Sequence, residues 1–308
     1  MTLSASHTLR LLNAAPFYST LLLGALLSGA LPSGDSAQAA AITFNTALPV
    51  GRNHQIARVQ YIYDKASSPN LERTANNALG VLAYGVTSRL ALFGILPYAN
   101  KQLQTPAGTR EASGFGDARF FARYTLFQQN APGKTLRFAP FVGVEAPTGK
   151  HDEHDDDGLL PPSLQPGSGA WDVFGGIVAT YATTRWQNDT QISYRANNVS
   201  GAVNGFEAGN VYRADTSLQY RLAQPEFQGP AFLFGVLEAN LIYQDRNEKL
   251  GIRDPNSGGT TLMLAPGLQY ATLRWIAETA VQIPVAQNLN GTALEKDVTV
   301  RASVRINF

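Results

Sequence analysis

The chain predicts an all-β fold: a transmembrane antiparallel β-barrel of about twelve strands in up-and-down order. Three observations predict it. The N-terminal stretch has the features of a secretory signal, and no later apolar run is long enough for a membrane helix. An apolar/polar alternation of period two recurs through the chain, and the connections between alternating segments fall into two length classes.

The signal comes first in the chain. His7 and Arg10 precede an apolar stretch over 17–31, then Pro32 and Gly34, then small residues at Ala37-Gln38-Ala39. A weakly basic start, a short apolar core and an A-x-A site describe a cleavable signal peptide. An apolar core of ~15 residues falls short of the ~20 that a bilayer-spanning helix needs. We therefore expect 1–39 to be a signal peptide and 40–308 to be one barrel domain, located in the bacterial outer membrane after cleavage. The next longest apolar run, 79–99, is interrupted by Thr87, Ser88 and Arg89 and weakened by Gly80, Gly85 and Gly94. Any membrane span must be built from strands.

Composition excludes several functions. Lys and Arg number 24 against 23 Asp and Glu, and the arginines are scattered rather than clustered. No basic face is available to nucleic acid. The absence of cysteine removes disulfides, thiol nucleophiles and thiolate metal sites.

Period-two alternation is the strand signature. At the C-terminus Val298, Val300, Ala302, Val304, Ile306 and Phe308 alternate with Asp297, Thr299, Arg301, Ser303, Arg305 and Asn307. The same pattern sets Val59, Tyr61 and Tyr63 against Arg58 and Gln60, and Phe120, Ala122 and Tyr124 against Arg119, Phe121 and Arg123. Twelve strands are expected near 54–63, 77–86, 89–99, 115–127, 135–146, 170–182, 186–196, 209–222, 230–243, 260–271, 273–285 and 296–308. Long connections rich in Asn, Asp, Gly, Pro and Ser are expected at 64–76, 100–114, 147–169, 197–208, 244–259 and 286–295, alternating with short turns. Short turns at one end and long loops at the other match a bacterial outer-membrane barrel with both termini in the periplasm. Closure leaves no strand edge exposed to lipid. Aromatic residues near strand ends on the apolar parity, such as Tyr98, Tyr124, Trp186, Tyr194, Tyr220 and Trp275, fit interfacial girdles.

Four stretches then carry a family resemblance. They are Tyr84-Gly-Val-Thr-Ser-Arg-Leu-Ala-Leu-Phe-Gly-Ile-Leu-Pro-Tyr98, Gly114-Phe-Gly-Asp-Ala-Arg-Phe-Phe-Ala-Arg-Tyr124, Pro140-Phe-Val-Gly-Val-Glu-Ala-Pro-Thr-Gly149 with Gly167-Ser-Gly-Ala-Trp-Asp-Val173, and the Phe-terminated last strand. In order and spacing they resemble a family of outer-membrane proteins associated with the phenol meta-cleavage pathway and described as transporters. The resemblance implies a barrel that passes small, often apolar or aromatic, molecules. It implies no catalytic residue and no cofactor.

On the polar parity, side chains should line the lumen. The cations are Arg58, Arg119, Arg123, Arg137, Arg195, Arg213, Arg274, Arg301 and Arg305; the carboxylates are Glu145, Asp189, Asp215 and Glu278. Rings of fixed charge set selectivity in pores, and a paired network that packs a narrow barrel is the alternative. Eight strands are just filled by side chains and sixteen leave a channel, so twelve lies between. In the acidic run 151–157, His151, Asp152, His154 and Asp155 are weak metal candidates, with a solvated loop as the plainer reading.

With His54, His151 and His154 the only histidines beyond the signal, and no Gly-x-Ser-x-Gly, an enzyme such as a lipid hydrolase is not expected. About 14 residues between Ala40 and the first strand are too few for a plug domain. The expected function is passive passage of small molecules. A non-conducting structural or adhesive barrel, with partner-binding loops, is the alternative. Expected partners are outer-membrane lipid and lipopolysaccharide, a small-molecule solute, and the insertion machinery that reads Phe308.

Overall fold

A computed structural model describes residues 39–223 and 231–308. The expected signal peptide lies outside the described residues, apart from Ala39. Twelve antiparallel strands close into a barrel. They are β1 (Gln55–Ser68), β2 (Leu71–Gly85), β3 (Leu90–Thr105), β4 (Gly108–Phe115, Ala118–Tyr124 and Phe127–Ala131), β5 (Lys134–Ala146) and β6 (Asp172–Thr183). The remainder are β7 (Trp186–Ala196), β8 (Val211–Ala223), β9 (Phe232–Gln244), β10 (Gly259–Ala271), β11 (Trp275–Leu289) and β12 (Glu295–Asn307). Every strand pairs with its sequence neighbours, and β12 pairs with β1 to close the ring. At the seam, Gln55 and Phe308 exchange backbone hydrogen bonds of 3.1 and 2.9 Å.

Alternation places side chains as expected. Val59, Leu82, Phe120, Val142, Ile192 and Val304 are exposed on the outer face, while Gln60, Gln187, Asp189, Asp215, Gln219 and Ser303 are buried inside. A soluble sheet would invert this, so the outer surface faces lipid. Aromatic residues form two belts. Tyr194, Tyr212 and Tyr243 stack side by side across β7, β8 and β9, with ring centroids 4.8 and 5.8 Å apart. Tyr181 against Trp186 and Tyr270 against Trp275 mark the other belt, at 5.1 and 5.2 Å. Tyr212 and Tyr220 lie eight residues apart on β8, about 27 Å of strand. A ~40° tilt reduces that to about 20 Å across the bilayer, near the ~25 Å apolar band of such barrels.

Three of the six expected long loops are corrected. Residues 64–76 and 100–114 are mostly strand, joined by two-residue turns at Pro69-Asn70 and Pro106-Ala107, and β11 runs on to Leu289. The physical reason lies on the outer face. On β1 to β3 it changes from Tyr63, Ala78 and Tyr98 to Lys65, Asn76 and Asn100, yet pairing continues through Ser68↔Leu71 and Thr105↔Gly108. Polarity there marks where the strands leave lipid, not where the backbone stops pairing. The long connections 147–171, 197–210 and 245–258 remain loops, with short paired stretches at His154–Asp155 and Gly158–Leu159 and at Phe206–Glu207, Glu248–Lys249 and Ile252–Arg253.

Candidate functional site

The barrel interior is the candidate site, and its first occupant is the chain itself. Residues 39–50 thread through the lumen, with Ala39, Ala40, Ala41, Ile42, Ala47 and Val50 buried. The segment is too short to form a plug domain, yet it fills part of the lumen as a single extended stretch. A plug need not be a domain: twelve extended residues reach about 40 Å.

The wall satisfies the backbone of this segment with side chains rather than strand pairing. Glu238 on β9, 1% exposed, accepts the Ile42 amide at 2.7 Å, the Thr43 amide at 3.1 Å and the Thr43 hydroxyl at 2.5 Å. Ser217 donates a fourth hydrogen bond to it at 2.9 Å. Gln269 accepts from the Ala40 amide at 3.1 Å and donates to the Ala40 carbonyl at 3.2 Å. The Ala47 amide donates to the Thr180 hydroxyl at 2.7 Å. Arg123 donates to the carbonyls of Thr46 and Leu48, and Arg58 to that of Ile42 at 3.1 Å. Apolar contacts complete the seating, Ile42 with Val236 and Ala280, and Ala47 with Ala139 and Val178. The chain then turns at Asn53, which adopts φ 62°, and enters β1.

Glu238 is the strongest single anchor. Glu238→Gln removes the charge and one acceptor, so we expect the plug to loosen by about 2–3 kcal/mol, since hydrogen bonds to charged groups contribute ~1.5–3 each. Faster amide exchange at Ile42 and Thr43 checks this; unchanged exchange at both would contradict it.

Most of the sequence-predicted charges face inward and pair. Arg58 meets Glu278 at 2.6 Å, and Arg213 meets Asp215 at 2.9 Å. Glu145 bridges Arg119 and Arg195, the latter at 2.7 Å, and Arg195 also reaches Asp172 at 2.5 Å. Asp189 accepts from Gln187 at 2.8 Å, from Gln219 at 3.2 Å and from Thr180. Arg137 is half-buried and donates to Thr135 at 3.1 Å. Arg305 lies inside, with its Nε unpartnered among the described residues. Arg301 donates to Gln282 at 2.7 Å and has no carboxylate within 4.0 Å among the described residues. Arg274 is the correction. It sits exposed in the turn between β10 and β11, because the last inward position before β11 falls outside the strands.

One wall is aromatic. Phe93 and Phe121 stack face to face at 4.3 Å, and Phe141 and Phe174 meet Phe121 edge-on at 6.2 and 6.1 Å. Gly143 makes room for them: a Cβ there would lie 2.4 Å from Phe121 and 2.6 Å from Phe174. Arg123 caps the stripe, 4.9 Å over the Phe93 ring.

The other end of the lumen is narrowed by the loop 147–171. Asp117, buried at a break in β4, holds both ends of this loop. It accepts the Gly149 amide at 2.9 Å, the Ser168 amide at 2.6 Å and the Ser168 hydroxyl at 2.8 Å. Gly149 and Gly167 touch backbone to backbone, where a Cβ on either would approach within 2.6–2.8 Å. Leu160 and Leu164 pack inward on Leu103. The Lys101 ammonium donates to the Gln165 carbonyl at 2.6 Å.

The metal candidates do not converge. Arg110 holds Asp155 with two hydrogen bonds of 2.7 and 2.6 Å, which keep its carboxyl below the usual range. His154 and Asp152 are exposed, and among the described residues no three His, Asp or Glu side chains gather to hold an ion.

The model of the family described as "Putative MetA-pathway of phenol degradation" matches residues 70–275. The chain belongs to that family. The matched span includes the Asp117, Gly149 and Gly167 junction and the aromatic wall. Among solved structures, an outer-membrane channel of Pseudomonas putida F1 is similar with a TM-score of 0.64 and 17% identity, over 91% of this chain and 100% of that one. The β domain of the Bordetella autotransporter BrkA gives 0.48 and 13%, over 83% and 99%. The NanC porin gives 0.41 and 13%, over 82% and 98%. A search of curated proteins finds no match. The fold of this family member is that of an outer-membrane β-barrel.

Sequence reasoning did not find the plug, and the signal for it was present. The stretch 39–50 is nearly all small or apolar, an unfavourable composition for a solvated leader.

Proposed function

We propose that this barrel is a passive outer-membrane channel for small molecules, aromatic and largely apolar compounds among them, closed in this structure by its N-terminal segment. The observation that carries the reading is how the lumen is filled. Residues 40–50 and the loop 147–171 are held by side-chain hydrogen bonds and a few apolar contacts, not by strand ladders. Such inserts move without unfolding the wall. The inward Phe93–Phe121–Phe141–Phe174 stripe gives aromatic solutes an apolar surface in an otherwise polar interior. The channel of Pseudomonas putida F1 shares the fold and supports the assignment.

The channel acts without catalysis in this reading. Residues 1–39 serve as secretory signal, and the outer-membrane insertion machinery reads Phe308, in contact with lipid and lipopolysaccharide outside. N-terminal sequencing of the membrane-extracted protein and the folded yield of Phe308→Ser check these two points. Planar-bilayer recording and liposome swelling with purified protein test passage. Conductance with solute uptake supports the channel. Neither signal, in the full protein or in one lacking the plug, would leave the non-conducting barrel, which the internal ion pairing favours.

A further inference from the structure

Above the plug the lumen holds a cavity of about 230 Å³ whose lining is strongly cationic. Arg73, Lys101, Arg213, Lys296 and Arg301 face it, with Asp64 as the single carboxylate in the lining. Asp64 is already shared, by Arg73 at 2.5 Å and Lys296 at 2.8 Å. Arg213 is answered from outside the lining by Asp215 at 2.9 Å, and its Nε is buried without a partner among the described residues. Lys101 donates to a backbone carbonyl at 2.6 Å and Arg301 to an amide side chain at 2.7 Å, both neutral acceptors. Two carboxylates therefore serve five cations.

Gathering like charges away from bulk water is costly unless an anion joins them. Guanidinium groups favour flat, two-oxygen anions, which they bind through parallel N–H donors. The rest of the lining combines four apolar side chains, Ile62, Ala75, Ile242 and Met263, with the neutral polar Asn77, Gln282 and Thr299. Its wall is linked to the plug through Gln282, which donates to Asn240 at 2.8 Å, while Asn240 donates to Thr43 at 3.0 Å. Its upper rim is the loop, through Lys101 and Gln165. The volume lies just below the ~300–1,000 Å³ of drug-sized ligand sites, which limits the guest to a small molecule.

From this juxtaposition we infer a binding site for a small carboxylate with an apolar or aromatic body, its carboxylate on Arg301 and Lys101 and its body against Ile62, Ile242 and Met263. The inference deepens the channel reading by naming a solute class, and rests on it only for how the solute arrives. Binding itself is an equilibrium property of the folded barrel.

Titration calorimetry in non-ionic detergent tests it, with benzoate, benzyl alcohol and inorganic phosphate as probes on the full protein. We expect benzoate to bind, and benzyl alcohol and phosphate each to bind at least tenfold more weakly. Arg301→Gln with Lys101→Gln should weaken benzoate at least tenfold and leave benzyl alcohol unchanged, whereas Arg301→Lys, which keeps the charge but loses the two-pronged donor, should weaken benzoate by less than the double variant does. Equal binding of benzoate and benzyl alcohol, no benzoate binding, or full benzoate affinity in the double variant would overturn the site. Phosphate binding as tight as benzoate would overturn the apolar-body assignment. A barrel that binds benzoate yet conducts nothing keeps the site and loses the channel; one that conducts without binding does the reverse.

Discussion

Deleting residues 40–50 should raise single-channel conductance several-fold and turn brief openings into a steadily open state. This segment occupies the width of the lumen between Gln269 on β10 and Arg123 on β4, and its polar partners are side chains. Once it is gone, Glu238, Gln269, Thr180 and Arg123 face water, which can satisfy them, so the wall is not left with dry, unpaired groups. The barrel should keep its strand content, because no ladder hydrogen bond involves the deleted residues. Twelve strands lie between the size filled by its own side chains and the size that leaves a water-filled channel, so an emptied lumen conducts. Planar-bilayer recording at matched protein insertion checks this, with circular dichroism as the folding control. Wild-type conductance in the deletion variant would contradict the plug's role.

Asp117→Ala has the second-largest expected effect. The substitution removes three hydrogen bonds that tie 149 and 168 to β4. At ~1.5–3 kcal/mol for each bond to a charged group, and allowing for water replacing part of them, loop docking should weaken by about 3–5 kcal/mol. Trypsin cleavage after Lys150 then accelerates by about two orders of magnitude or more, since each 1.4 kcal/mol is tenfold. Quantified digestion of the folded protein measures it, and an unchanged cleavage rate would show that Leu160 and Leu164 suffice to hold the loop.

These results also show which features the sequence makes legible. Strand identity and parity follow from alternation because lipid and lumen demand opposite side chains, so Val304 and Ser303 sort themselves without tertiary information. The extent of β1, β2 and β3 does not follow. Once Lys65, Glu72 and Gln102 leave the bilayer both faces are wet, and a solvated strand reads like a loop. Inward placement was readable for Arg58, Arg119 and Arg195, but their pairing was not, since it depends on cross-strand neighbours far apart in the chain. Asp117 belongs to a recognisable Gly-Phe-Gly-Asp stretch, yet its task appears only when 149 and 167 are brought against it. The plug eluded strand reasoning because it has no period; its composition alone marked it.

The central claim, that the N-terminal segment closes the lumen, is tested most directly by locking it in place. The chain has no cysteine, so Ala47→Cys with Val178→Cys introduces one pair where the two residues pack together. In planar bilayers the oxidised protein should stay closed, and adding reductant should restore wild-type openings. Equal conductance before and after reduction, with the disulfide verified by mass spectrometry, would contradict the claim.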